Sequence, residues 1–234
     1  MLEVSGVFAG YGRTEVLFDA GLRVGAGEFV TLLGRNGMGK TTLVKVIMGL
    51  LGMRQGAITF NRAPIGRQRA HRIAQMGLGL VPEGRLVCPN LTVRENLIAT
   101  ARKARPGDKS SWTLERVYAL FPRLEERRHN MGNELSGGEQ QLLAIGRALM
   151  TNPELLILDE ATEGLAPLIR QEVWNCLDVL RRDGQSVLLI DKNIDVLERI
   201  ADRHYVLEKG RIVWTGTSAQ FSGSRAALEQ YLGV

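Results

Sequence analysis

The residues best suited to chemistry lie in one short stretch, Gly34-Arg35-Asn36-Gly37-Met38-Gly39-Lys40-Thr41-Thr42, which carries the spacing G-x-x-x-x-G-K-T. Its glycines let the backbone curl until several N–H groups face one anion. Lys40 brings a positive charge to the β- and γ-phosphates of a nucleotide, and Thr41 offers a hydroxyl to Mg²⁺. A helix that starts here aims its N-terminus at the same phosphates. The apolar run Phe29-Val30-Thr31-Leu32-Leu33 ahead of the loop reads as a strand. Residues 40–50 after it, with Leu43, Val46, Ile47 and Leu50 on one face, read as a helix. Strand, glycine loop and helix in that order separate a phosphate cradle from an ordinary Gly-rich turn.

A second apolar strand, Leu155-Leu156-Ile157-Leu158, ends in Asp159 and Glu160. Strand tips beside a phosphate loop are where α/β proteins place catalytic groups. Asp159 suits the shell of Mg²⁺, usually through water, because that ion takes few carboxylates and keeps several waters. Glu160 is placed to polarise an attacking water as general base. The third stretch, Leu135-Ser136-Gly137-Gly138-Glu139-Gln140-Gln141, opens a helix over 138–150 with Leu142, Leu143, Ile145 and Leu149 as apolar positions. A bare N-cap serine would be unremarkable. Small residues and a hydroxyl at an exposed helix N-terminus nevertheless make a second phosphate-binding device. One nucleotide needs one cradle, so the second device implies a nucleotide held by another subunit.

The elements that must position these residues follow from turn signals and periodicity. Residues up to about 30 alternate and carry the turns Ala9-Gly10-Tyr11-Gly12 and Gly25-Ala26-Gly27, which predicts short antiparallel strands. A strand over 56–60, a helix over 66–76 and a strand over 77–81 follow. From 84 to 150 helical segments dominate, at 92–104, 112–121 and 138–150, interrupted by Pro106-Gly107-Asp108. The alternation then returns, with strands at 155–158, 186–190, 205–207 and 211–214 and helices at 168–182, 193–201 and 224–232. The expected fold is α/β: a mainly parallel sheet covered on both faces, an N-terminal antiparallel β-subdomain and a helical insertion.

Composition narrows the class. The chain has 234 residues, 44% hydrophobic and 24% charged, which is ordinary for one large globular domain. No apolar run approaches the ~20 residues that cross a bilayer, and Met1-Leu2-Glu3-Val4 carries no secretory signal pattern. Cys88 and Cys176 are far apart and lack metal-ligand spacing, so two reduced thiols are expected. The net charge is +5, with arginines grouped at Arg67, Arg69 and Arg72 and at Arg123, Arg127 and Arg128. Acids such as Glu125 and Glu126 interleave with them and no aromatic stacking pattern accompanies them, which favours solvated faces over nucleic-acid binding, with anionic lipid head groups as a further reading.

Taken together and in this order, Gly34–Thr42, Leu135–Gln141 and Leu155–Glu160 resemble the Walker A loop, signature motif and Walker B strand of ABC-type ATPases (P-loop NTPases), across nearly the whole chain. The resemblance implies one ABC ATPase domain over 1–234, with a RecA-like core at about 1–83 and 151–234 and a helical subdomain at about 84–150. It implies ATP and Mg²⁺ as cofactors and a head-to-tail pair of cassettes, with a sister ATPase or a second copy. Asn36, Gly37, Gly39, Lys40, Thr41 and Thr42 would bind the phosphates. Tyr11 resembles the aromatic that stacks on adenine, with Val16 in the same pocket. Ser136, Gly137 and Gly138 would read the γ-phosphate of the partner's ATP, and 161–167 would cross the interface. The implied metal side is Thr41, Asp159 and Glu83, the last in place of the Gln usual in the wider family. Lys192 replaces the usual catalytic His. It would neutralise the γ-phosphate or, on the alternative reading, point to solvent.

Val81-Pro82-Glu83-Gly84-Arg85, Leu91–Leu97, Glu163-Gly164-Leu165-Ala166-Pro167 and the ending Tyr231-Leu232-Gly233 look like the ATPases of branched-chain (hydrophobic) amino-acid importers, specifically the shorter of their two ATPase subunits. In that branch Glu at the metal side is usual and the later His is often replaced. The implied setting is the cytoplasmic face of the inner membrane, beneath permease subunits fed by an extracytoplasmic solute-binding protein, with no nucleic acid. Related importers of urea, short amides and aromatic acids carry nearly the same ATPase. A low-turnover nucleotide-responsive module is the other reading, motivated by Lys192.

Overall fold

The computed structural model describes residues 1–103 and 111–232. The expected break at Pro106-Gly107-Asp108 and the residue Gly233 lie outside the described residues. Two sheets carry the architecture. One is antiparallel, in the order β2 (Thr14–Val24), β1 (Leu2–Tyr11), β4 (Met53–Phe60), β5 (Ala63–Pro64). The other has six strands, in the order β10 (Arg211–Thr217), β9 (Arg203–Glu208), β3 (Phe29–Leu33), β8 (Ser186–Ile190), β7 (Leu155–Asp159), β6 (Leu78–Val81). All neighbours in this second sheet run parallel except the β9–β10 pair.

Strands β3, β7 and β8 are buried along their whole length, as expected where both faces are covered. Their side chains alternate between two cores. Val30, Leu32, Leu155, Ile157, Leu188 and Ile190 face the antiparallel sheet and α1 (Lys40–Ile47). Leu33, Leu156, Leu158, Val187 and Leu189 face α6 (Gly137–Leu149), α7 (Pro167–Arg182), α8 (Ile194–Ile200) and α9 (Ser218–Leu232). Each fully buried Leu or Ile contributes roughly 1.5–3 kcal/mol by leaving water. This double burial makes the sheet a rigid base for the loops at the strand ends.

Between β6 and β7 the described residues form helices and no strand: α3 (Val93–Ala99), α4 (Leu114–Leu120), α5 (Pro122–Glu126) and α6, with a 3₁₀ turn at Gly132–Glu134. Several boundaries differ from the sequence reading. The helix expected over 66–76 is α2 (Ala70–Gln75), because Arg69 before it is extended. The helix expected to reach 104 ends at Ala99. Strand β4 begins at Met53 rather than 56, since pairing with β1 continues through Gln55 to Met53. Helix α9 begins at Ser218 rather than 224, where Thr217 and Gln220 bond each other's backbone N–H groups in a reciprocal cap.

Helix α9 reaches back to the end of the sheet that carries the loop between β3 and α1. The Arg35 N–H donates to the Tyr231 carbonyl at 3.1 Å, and Arg225 pairs with Asp195 at 2.7 Å and Glu198 at 3.2 Å on α8. Its first turn is fixed by His204 on β9, which is fully buried, stacks on Phe221 and lies 2.7 Å from Thr31 Oγ1 and 2.9 Å from Ser218 Oγ. The Ser218 hydroxyl spends its proton on the Ala201 carbonyl. The imidazole Nε2–H therefore donates to Ser218, and Nδ1 accepts from Thr31. Burial pushes this histidine down from 6.5 to about 4. The folded state then binds fewer protons than the unfolded state between those values. The contribution is complete above pH 6.5 and lost as pH falls towards 4, on the order of 3 kcal/mol. Urea unfolding should show stability falling over this window in the parent chain, with a distinctly smaller slope in His204→Phe.

Candidate nucleotide and catalytic site

The loop between β3 and α1 is held from several sides. The Arg35 N–H is bound to α9, and the Met38 carbonyl accepts from the Gly210 N–H at 2.9 Å. Gly39 caps α1 in the left-handed region at φ 108°, and a Cβ on Gly34 would lie 2.3 Å from the Leu207 carbonyl oxygen. These two positions admit only glycine without rearrangement. Lys40 is 5% exposed. Its Nζ donates to the carbonyls of Gly34 at 2.8 Å and Arg35 at 3.0 Å and stands 3.9 Å from Glu160 Oε1. Burial lowers its pKa from the ordinary lysine value, with the Glu160 charge opposing.

Val16, Asn36, Gly37, Gly39, Lys40, Thr41, Thr42, Glu83 and Glu160 line one cleft of about 240 Å³. Asp159 lies beneath it at the tip of β7, 2% exposed, with Oδ1 lacking any hydrogen-bond partner. Burial raises its pKa, against a hydrogen bond from Thr41. A buried carboxylate oxygen without a donor is costly in isolation, and it points to a cation as its partner. Among the described residues no three acidic, His or Cys side chains gather into a cage. This donor set suits an ion whose remaining ligands are phosphate oxygens and water.

Glu160, the next residue, has φ +53°. A non-glycine residue in that region is strained, and its N–H is anchored to the Ile190 carbonyl at 2.9 Å. The turn directs its carboxyl to the Lys40 ammonium. Burial first, and then a hydrogen bond to the Glu163 carboxylate, push Glu160 up from 4.5 to about 7.

The segment that begins α6 lines no part of this cleft. Ser136 is exposed and closes a reciprocal cap with Glu139, the Ser136 N–H donating to Oε2 at 2.8 Å and the Glu139 N–H donating to Oγ at 3.3 Å. Gly137 gives the Arg85 guanidinium room, since a Cβ there would meet Nη1 at 2.1 Å, and at Gly138 one would meet Ile169 at 2.8 Å. The stretch 83–86 thus runs from the cleft at Glu83 to the start of α6 at Arg85.

Comparison with known proteins decides the family. The ABC transporter family matches residues 17–163. Over the full length of both chains the sequence is 41% identical to the high-affinity branched-chain amino acid transport ATP-binding protein BraG of Pseudomonas aeruginosa. It is 33% identical to the lipopolysaccharide export system ATP-binding protein LptB of Haemophilus influenzae, covering 95% of this chain and 93% of that one. A dimeric post-hydrolysis ATP-binding cassette bound to ADP and phosphate superposes with a TM-score of 0.79 at 25% identity, over 93% of this chain and 99% of the other.

The chain belongs to the ABC transporter family. It is an ATP-binding cassette, an ATPase coupled to transport. Such cassettes act as dimers with membrane permease partners. Among the described residues no helix of this cassette is long and apolar enough to cross a membrane.

The structure of the cassette gathers the phosphate loop, Val16, Glu83 and Glu160 around one cleft. Tyr11 lies outside that lining, 47% exposed on β1, with Lys45 Nζ 5.8 Å from its ring centroid. Lys192 stands at the edge of the neighbouring cavity rather than in this lining. It is half exposed, and its ammonium is ion-paired to Glu163, whose carboxyl is held below its ordinary range by the bond from Glu160 first and by Lys192 second. Asp191 was not singled out in the sequence, and Thr162 and Glu163 entered only within the loop 161–167. Glu163 was readable only as part of a loop, and nothing local signals a partner 29 positions away.

Proposed function

We propose that this cassette energises an importer of branched-chain or other hydrophobic amino acids, with each ATP shared between two ATPase subunits. The observation that carries the composite site is the separation, within one chain, of the cleft at Lys40 from the exposed Ser136 and half-buried glycines that open α6. In the dimer, Asn36, Gly37, Gly39, Lys40, Thr41 and Thr42 of one subunit take the phosphates. Ser136, Gly137 and Gly138 of the other approach the γ-phosphate, with Val16 and Tyr11 on the base side. Thr41, Glu83 and Asp159 would hold Mg²⁺, which supplies charge neutralisation at the transferring phosphoryl group. Glu160 takes the proton of the attacking water, and Lys40 with the N-terminus of α1 compensates charge on the phosphates.

The division into a core at about 1–83 and 151–234 and a helical part at about 84–150 gives the moving unit. Closure would shift the helices, and Glu83 to Asn96 would pass the movement to a permease loop. The reading places the cassette peripherally on the cytoplasmic face of the inner membrane, without nucleic acid, and with an extracytoplasmic binding protein delivering solute. The full-length likeness to a branched-chain amino-acid transport subunit supports that solute class. Urea, short amides, aromatic acids and a low-turnover module are the alternatives.

The test is phosphate release in proteoliposomes carrying the cassette, its sister ATPase, the permeases and a panel of solutes. Turnover should rise with leucine, isoleucine or valine. Ser136→Glu should abolish it while leaving nucleotide binding at the same chain's own phosphate loop. Full-rate hydrolysis by an isolated monomer, indifferent to Ser136→Glu, would overturn the composite site.

A further inference from the structure

The turns after β7 and β8 are welded together by one carboxylate. Asp191, 7% exposed, accepts from Thr162 Oγ1 at 2.5 Å, from the Thr162 N–H at 3.3 Å, from the Lys192 N–H at 2.8 Å and from the Asn193 N–H at 3.1 Å. On this welded unit Glu163 and Lys192 face each other and form an ion pair, their side chains 49% and 46% exposed. Glu163 is also hydrogen-bonded to Glu160. The three side chains line a cavity of about 400 Å³, and Glu160 lines the phosphate-loop cleft as well. Lys40, Glu160, Glu163 and Lys192 therefore form a continuous row that ends in a cation at each side.

An ion pair this exposed adds little to stability, and the four bonds to Asp191 already fix the two turns. The pair accomplishes something else. A lysine stem has many rotamers and no planar fork to orient its charge, so Lys192 without a partner would spread through solvent. We propose that Glu163 is a positioning residue for hydrolysis: its carboxylate keeps the Lys192 ammonium beside Glu160, where the γ-phosphate of a bound nucleotide meets a cation already in place. The phosphate then competes with Glu163 for that cation. The proposal rests on Glu160 as the base and the phosphate loop as the nucleotide site.

The experiment uses the reconstituted transporter with Glu163→Gln, Glu163→Asp, Lys192→Gln and the double variant Glu163→Gln/Lys192→Gln. Glu163→Gln should lower kcat about tenfold and change the KM for ATP by less than about twofold, with the melting temperature unchanged. Glu163→Asp should recover part of the loss. The double variant should be no slower than Lys192→Gln alone, because the two residues act through one cation. Parent kcat in Glu163→Gln, or losses that multiply in the double variant, would overturn the proposal. An active Glu160→Gln would instead sink the functional reading beneath it, so the two failures are distinguishable.

Discussion

Glu160→Gln is expected to bind ATP at least as well as the parent chain and to hydrolyse it about a thousandfold more slowly, within the range general bases contribute. The amide keeps the shape of the carboxyl that lies 3.9 Å from Lys40 Nζ, and its NH₂ still donates to Glu163. What disappears is the capacity to accept a proton from water. When the parent carboxyl ionises to act as base it also places negative charge on the wall facing the γ-phosphate, which the amide never does, so nucleotide should be retained and the closed dimer should accumulate. Titration calorimetry with ATP, phosphate-release kinetics and sizing by light scattering would together report this. Hydrolysis at the parent rate would remove Glu160 from the role of base.

The second large effect is at Lys40. Its Nζ ties the Gly34 and Arg35 carbonyls into the cradle and is the charge closest to where the phosphates must lie. Lys40→Ala should cost about 3 kcal/mol of ATP binding, roughly a hundredfold in affinity. Two loop carbonyls lose their donor, which costs at most about 1–3 kcal/mol of stability if water does not replace it. A domain stabilised by 5–15 kcal/mol absorbs that, so the circular dichroism spectrum should match the parent while ATP affinity falls. Unchanged affinity would refute the assignment of the phosphate loop.

The phosphate loop, Asp159 and Glu160 were legible because their function needs particular residue types next to one another in the chain. The strands at 29–33, 155–158 and 186–190 were legible for a related reason: sheet burial on both faces leaves an apolar run. Elsewhere tertiary contact decided. The helix expected over 224–232 begins at Ser218 instead, where Phe221, fully buried against His204, anchors the added turns. The T-x-x-Q cap at 217–220 was the local clue to that start. Pro122 opens α5 in a stretch without an obvious period. The Asp191 weld and the Glu163–Lys192 pair join turns far apart in sequence, and only the parallel pairing of β7 with β8 brings them together.

The hydrogen bond between Arg35 and Tyr231 has a practical side. An affinity handle attached at Tyr231 would sit beside the nucleotide cleft and shade it. Met1 instead borders Gly27, Glu154 and Ser186 at the starting ends of the parallel strands, so a handle on that side keeps its distance from the chemistry.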